Sequence, residues 1–368
     1  MTNAIDRAAA WLQAWDSHKI HRTGTPGDVV GLAWLAVEAA ALGAATTVEE
    51  FTLDRLDPVA CHLEFDGLRI DGVPVFDAPA TGSDGVSGRL GSEIAVAELS
   101  PRTVYSGEYQ ALRRRGLHRG LVILCAGEAP GLALLNAEQF REPYGAPAIH
   151  VSSEARETVL AGAARGASAR LVADSRRTRS TAGNLVVALS GREAGRAPLV
   201  VMTPRSSWWQ STAERGGGIV CWLETLRALI AEAPARPVIL AANSGHELGH
   251  LGLDDFVARR PGCERSMEWV HYGANIGAAG GRLLLMSASD EWRALAAREL
   301  PGAELAAQTM VPSGETRDIH RAGGAYLTLV GTNPLFHLPQ DRWPHAVGVP
   351  EIARIAAAAA RIAVALSR

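Results

Sequence analysis

Residues 244–256 read SGHELGHLGLDDF, and inside them His246-Glu247-Leu248-Gly249-His250 has the spacing H-E-x-x-H. On a continuous helix, histidines four apart share one face and can bind zinc while the glutamate between them polarises a water. The flanks argue against a helix. Gly245, Gly249 and Gly252 fall within this short stretch, and each costs about 1 kcal/mol relative to alanine in a helix interior. Just upstream, Pro237-Val-Ile-Leu-Ala-Ala242 is an apolar run opened by proline, which reads as a buried parallel strand. The three polar residues are therefore expected where a strand ends and a loop begins, the place where open α/β sheets put their active sites.

Other residues with chemical potential lie downstream and just upstream of this stretch. His271, Asn275 and His320 (in ETRDIHRAGG) are candidates to line the same cleft, each with a structural reading beside the functional one. Trp208 and Trp209 suit an aromatic wall for substrate or interior packing equally well. The run Gly216 to Gly218 suits an anion cradle or a tight turn at a helix start; it lacks a P-loop lysine, which favours the turn.

The elements that must position these residues alternate. Residues 28–42 carry apolar side chains at helical spacing and stop at Gly43, and TTVEEFTL after it alternates like a strand. From about residue 61 the texture becomes β-rich, with Gly and Asp turns and helical pieces only at 108–115 and 153–165. After the polar stretch 174–184, strand and helix alternate again: NLVVALSG, APLVVMTP, the helical GGIVCWLETLRALIAEA, PVILAA, GRLLLMS, AYLTLVG and a closing helix EIARIAAAAARIAVAL. Such alternation predicts an α/β fold, a mixed and largely parallel sheet between helices. Residues 61–184 then form an insertion within a domain made of 1–60 and 185–368.

With 368 residues, 47% hydrophobic and 20% charged, the chain has the composition of a soluble globular protein. A net charge of −3 gives no sign of a nucleic-acid or anionic-membrane partner. The longest like-charge run, Arg113 to Arg115, reads as a solvated helix face. The N-terminus fits neither a signal peptide nor a membrane span, so a cytoplasmic location is expected. Cys61, Cys125, Cys221 and Cys263 are scattered without a C-x-x-C pair and read as buried thiols. This composition is compatible with a homo-oligomer.

The order of segments resembles the zinc-dependent aminopeptidases with two co-catalytic metals, whose relatives include the glutaminyl cyclases. HRTGTPGDVVGLAWLAVEAAALG (21–43) looks like that family's first-helix region. The β-rich insertion, with its AIHVSSEARETVLAG segment, is similar to the family's protease-associated domain. The resemblance implies a metal-dependent hydrolase, yet the catalytic positions are altered. The family's His-x-Asp strand end corresponds to Thr203-Pro204-Arg205, and its bridging aspartate to Glu214 in STAERGGG. Its general base and the ligand after it correspond to His246 and Glu247. A later aspartate ligand falls at Ala274, and the C-terminal histidine is His337.

By this resemblance one ligand set survives, Glu214, Glu247 and His337, around one divalent metal, with zinc expected. A set of two carboxylates, one histidine and an open position is a sound catalytic zinc site. His246 would then handle the proton, and His250 would not be bound as in a zincin. The implied substrate is a small amino-acid-derived amide or a peptide-like molecule. The rival readings are a non-catalytic binding or scaffold protein on the same fold, and a true zincin with His246 and His250 adjacent on a helix.

Overall fold

The computed structural model describes residues 3–114, 116, 118–193 and 195–368, without the side chain of Arg114. From the edge strand Glu304–Leu305 its sheet runs through Leu283–Ser287, Ala325–Gly331, Glu268–Tyr272, Leu199–Pro204, Val238–Asn243 and Ser168–Leu189 to Thr46–Phe65. The central strands Ala325–Gly331, Glu268–Tyr272, Leu199–Pro204 and Val238–Asn243 are mutually parallel. Antiparallel strands flank them on either side. This is the mixed, helix-covered α/β sheet expected.

Period-two side-chain alternation divides each central strand between two cores. Leu199, Val201, Leu240, Ala242, Val270 and Tyr272 pack with Trp15, Trp222 and Ile355, from the helices Ala4–Ser17, Gly217–Glu232 and Val349–Leu366. Val200, Met202, Ala241 and Trp269 face the other way, onto Phe256, Cys263 and Ile319. Strands buried on both faces need continuous apolar sequence, which is why LVVMTP and VILAAN lack polar alternation.

The polar stretch 174–184 is no divider. It lies inside one strand, Ser168–Leu189, paired antiparallel along its length with Thr46–Phe65 apart from a register shift between Pro58 and Ala60. Extended pairing satisfies the backbone while the charged side chains stay in solvent, so polarity alone did not mark a loop. The far ends of these two strands join Leu68–Pro74, Ala148–Val151, Gly120–Cys125 and Ile94–Leu99, around cores centred on Leu63, Val122 and Leu171 on one face and Leu121, Ile123 and Tyr109 on the other.

Arg113 is not on a solvated face. It is buried against Asp77, donates to the carbonyls of Asp77 (2.7 Å) and Tyr144 (2.8 Å), and lies over the Tyr144 ring. Arg115 lies outside the described residues. Cys61, Cys125, Cys221 and Cys263 are all buried and free. Among the described residues no helix is long and apolar enough to cross a membrane.

The run Gly216–Gly218 allows close approach. A Cβ on Gly217 would stand 1.9 Å from the Ile276 carbonyl oxygen, and one on Gly218 2.6 Å from Thr203 Oγ1. Gly217→Ala should therefore destabilise the fold by about 1–3 kcal/mol or more, the usual cost of overpacking. Urea unfolding reads this, and a midpoint equal to that of the parent would contradict it.

Candidate metal centre

His246-Glu-Leu-Gly-His250 is not a helix. The strand Val238–Asn243 ends, Gly245 turns left-handed (φ 87°), His246–Leu248 makes one 3-10 turn, and Gly249 (φ 77°) and His250 (φ 63°) are again left-handed. Outside glycine, such a backbone costs about 1–2 kcal/mol per residue. Ser211, His250, Asn275 and His337 all adopt it, and Asn275 and His337 line the same cleft. Strain of this kind collects at functional sites.

The turn is held by a buried network. Glu247 accepts from the Thr23 amide (2.7 Å), the Thr23 hydroxyl (2.7 Å) and the Ser206 hydroxyl (2.6 Å). Ser206 Oγ in turn accepts from the amides of Gly245 and His246 at 2.8 and 3.1 Å. Burial raises the Glu247 pKa, and these donors only partly offset it. Both Glu247 oxygens thus serve to fix the loop that carries His246. The structure does not bring Glu247 into a three-residue ligand group with Glu214 and His337.

What the turn does bring together is its two histidines, without a helix. Their ring centroids are 5.2 Å apart. Among the described residues, His246, His250 and Glu315 form a group of His, Cys, Asp or Glu residues whose ligand atoms lie within 4.8 Å of one another, and all three are buried. His246 Nδ1 is 2.8 Å from Glu315 Oε2, yet neither atom has an aligned hydrogen bond. His250 Nδ1 donates to Asp318 (2.7 Å), leaving Nε2 buried without a hydrogen-bond partner. A carboxylate behind an imidazole is the usual outer support of a metal-bound histidine.

The charges around the group act in both directions: Glu315 and Asp318 favour positive charge there and Arg215 opposes it. Burial alone would raise the Glu315 carboxyl, but His246 and the other imidazoles hold it well below the usual range. Burial, then the charge of Arg215, lowers His246 to about 4, despite the pull of Glu315. Burial opposes charging His250, but Asp318 and Glu315 more than offset it and its pKa rises. A buried carboxylate beside two imidazoles is a donor set of the kind that holds a divalent ion. Ligand atoms about 2.0–2.2 Å from a tetrahedral zinc stand roughly 3.3–3.5 Å apart, a spacing this group can take up with small adjustments.

His271 stands beside the group. Its Nδ1 lies 2.7 Å from both the Thr328 and Thr316 hydroxyls, and its buried, unpartnered Nε2 is 3.5 Å from Glu315 Oε2. His246, His271, Asn275 and His337 line a cleft of about 290 Å³, with apolar walls that include Met286, Val330 and Phe336. Tyr105 and Asn136, from the 61–184 segment, also line it. The other candidates do not line this cleft. Trp208 is buried, its Nε1 bonded to Asn136 (3.2 Å) and its ring tilted on Phe76. Trp209 donates to the His337 carbonyl at 2.9 Å. His320 is exposed, with Tyr326 Oη 3.3 Å from its Nδ1.

Glu214 and His337 do meet, at 3.4 Å between Oε1 and Nε2. Arg215 is there too, its Nη2 2.7 Å from the same Glu214 oxygen. Burial would raise Glu214, but Arg215 and then His337 bring it down to about 2. His246, His250 and Glu315 offer ligand atoms that a divalent ion could use, whereas Glu214 is already paired with a buried guanidinium.

Sequence reading missed Glu315 and Asp318. Both sit in the first turn of the helix Glu315–Ala322, where acidic residues are common on dipole grounds alone. Their types therefore carried no signal of a site.

No protein-family profile matches the sequence, and no curated protein is detectably similar to it. Solved structures with the same fold are found. A peptidase M28 precursor from Shewanella amazonensis SB2B superposes with a TM-score of 0.76 at 15% identity, covering 99% of this chain and 96% of that one. The zinc aminopeptidase BSAP from Bacillus subtilis gives 0.73 at 16%, covering 97% and 93%. The aminopeptidase from Aneurinibacillus sp. strain AM-1 gives 0.71 at 13%, covering 100% and 94%. At these identities the likeness is one of fold.

Proposed function

We propose that this chain is a metal-dependent hydrolase that cleaves an amide bond in a small amino-acid-derived or peptide-like substrate, using one divalent ion, zinc, at His246, His250 and Glu315. The observation that carries the reading is the convergence beside a cleft of three buried side chains, His246, His250 and Glu315, whose ligand atoms lie within 4.8 Å of one another, while His246 Nδ1, His250 Nε2 and Glu315 Oε2 have no aligned hydrogen bond. Similarity of fold to a zinc aminopeptidase supports the class of chemistry. Such an ion, when bound, supplies Lewis-acid activation of the scissile carbonyl and of the attacking water.

The chain's own residues divide the remaining work. Asp318 orients His250, and Glu247, through Ser206 and Thr23, sets the loop that presents His246. In this reading His246 is a ligand, and proton transfer passes to His271, whose Nε2 is free while hydroxyls hold Nδ1. Asn275, whose Oδ1 is unpartnered, orients the substrate amide from the cleft wall. The cleft, near the lower end of the usual range of roughly 300–1,000 Å³, suits a small substrate. Residues 61–184 are read as an inserted protease-associated-like module that closes the mouth, because Tyr105 and Asn136 line the cleft and Leu134 anchors His337.

The test is hydrolysis of a panel of aminoacyl amides and anilides before and after dialysis against a chelator. Activity should vanish on chelation and return with zinc near one equivalent per chain. Protein that takes up no zinc, or whose hydrolysis survives full removal of metal, would overturn the reading.

A further inference from the structure

Behind the cleft lies a second group of buried polar atoms. Glu214 Oε1 and Oε2, Arg215 Nη1 and Nη2 and His337 Nε2 are all buried, and none has an aligned hydrogen bond. The three side chains are nonetheless in contact, Arg215 Nη2 at 2.7 Å and His337 Nε2 at 3.4 Å from one Glu214 oxygen. The resemblance drawn from sequence places metal ligands at Glu214 and His337. The structure sets a guanidinium against the same Glu214 oxygen that His337 approaches.

Each member is pinned from outside. Arg215 Nε donates to the Ser206 carbonyl at 2.7 Å, which fixes the plane of the guanidinium. The amides of Ala213 and Glu214 donate to Asp341 at 2.7 and 2.9 Å, which fixes the backbone that carries Glu214. His337 Nδ1 lies 2.6 Å from the Leu134 carbonyl. A carbonyl only accepts, so Nδ1 carries a proton and Nε2 is the nitrogen turned to Glu214. Beside that pair Arg215 brings a positive charge that is never lost. A buried carboxylate needs such a partner in any case.

We infer that Arg215 is a built-in cation that occupies the Glu214–His337 chamber in place of a metal ion, so that the chain loads a divalent ion at His246, His250 and Glu315 and none at Glu214 and His337. The inference rests on the function proposed above and adds the reason why the chain takes a single ion. It also gives Arg215 a positioning role, since its fixed charge orders Glu214 and His337 without metal supply. A divalent ion entering the chamber would meet the guanidinium at short range and be repelled.

The test counts zinc and cobalt(II) per chain after saturation and gel filtration. Wild type, Glu214→Gln and His337→Ala are expected to hold the same single equivalent, with the same cobalt absorption spectrum. Arg215→Met, neutral and of similar length, is expected to gain one further equivalent, which Arg215→Met/His337→Ala loses again. Loss of the wild-type ion in Glu214→Gln or His337→Ala would overturn the inference, as would a folded Arg215→Met chain with an unchanged count. Should Arg215→Met not fold, the two single variants decide. If wild type binds no ion, the proposed hydrolase reading fails by itself, and the gain in Arg215→Met, then from zero to one, still judges Arg215.

Discussion

His250→Ala should strip the chain of most of its zinc while leaving it folded. His250 belongs to the three-residue group, its Nε2 is buried without a hydrogen bond, and its ring is held from behind by Asp318. Losing the outer carboxylate of a metal-bound histidine typically costs roughly 10- to 100-fold in affinity. Asp318→Asn should fall in that range, and His250→Ala, which removes the ligand itself, should exceed it. Zinc affinity by competition with a chromogenic chelator, read beside circular dichroism, measures both. The ligand set implied by family resemblance, Glu214, Glu247 and His337, predicts the opposite order: His250→Ala neutral, His337→Ala severe. A His250→Ala protein that keeps wild-type affinity would remove the assignment.

Arg205→Met should be among the most destabilising single changes in the molecule. The Arg205 guanidinium is buried and donates from Nη1 to Asp28 Oδ1 (2.7 Å) and the Asp28 carbonyl (2.9 Å), and from Nη2 to the Gly183 carbonyl (2.6 Å). Asp28 in turn accepts from the Gly24 amide at 2.9 Å and the Ser244 hydroxyl at 3.0 Å. Methionine fills much of the volume but leaves the Asp28 carboxylate buried without its counter-charge, and breaking such a pair from one side costs about 3–5 kcal/mol. That is a large part of the roughly 5–15 kcal/mol that stabilises a typical domain. The double variant Asp28→Asn/Arg205→Met should recover part of the loss, because the uncompensated charge is gone. A single variant whose urea midpoint matches the parent would show that the pair does not bear on stability.

Arg205 also shows how much of this protein its sequence discloses. Its letter told only that the carboxylate of a His-x-Asp strand end was missing; that it reaches back to Asp28 across the sheet could be known only from the fold. The α/β architecture itself was legible, because strands buried on both faces need unbroken apolar runs such as LVVMTP, and helices packed on one side repeat apolar residues at helical spacing. The glycines around His246 likewise foretold a strand-end turn in place of a helix, since backbone preference is local.

What the sequence by itself could not determine is which polar atoms converge. Linear spacing orients side chains only within one regular element, and this site is built from loops and a helix start far apart in the chain. Two left-handed residues, Gly249 and His250, fold the second histidine of the H-E-x-x-H back toward the first. Only packing brings Glu315, some 65 residues on, against them. Glu247 looked like a ligand because its neighbours in sequence matched a metal motif. In three dimensions its oxygens are taken by Thr23 and Ser206. Partners supplied by distant segments decide what a buried carboxylate does, and those partners exist only once the chain has closed on itself.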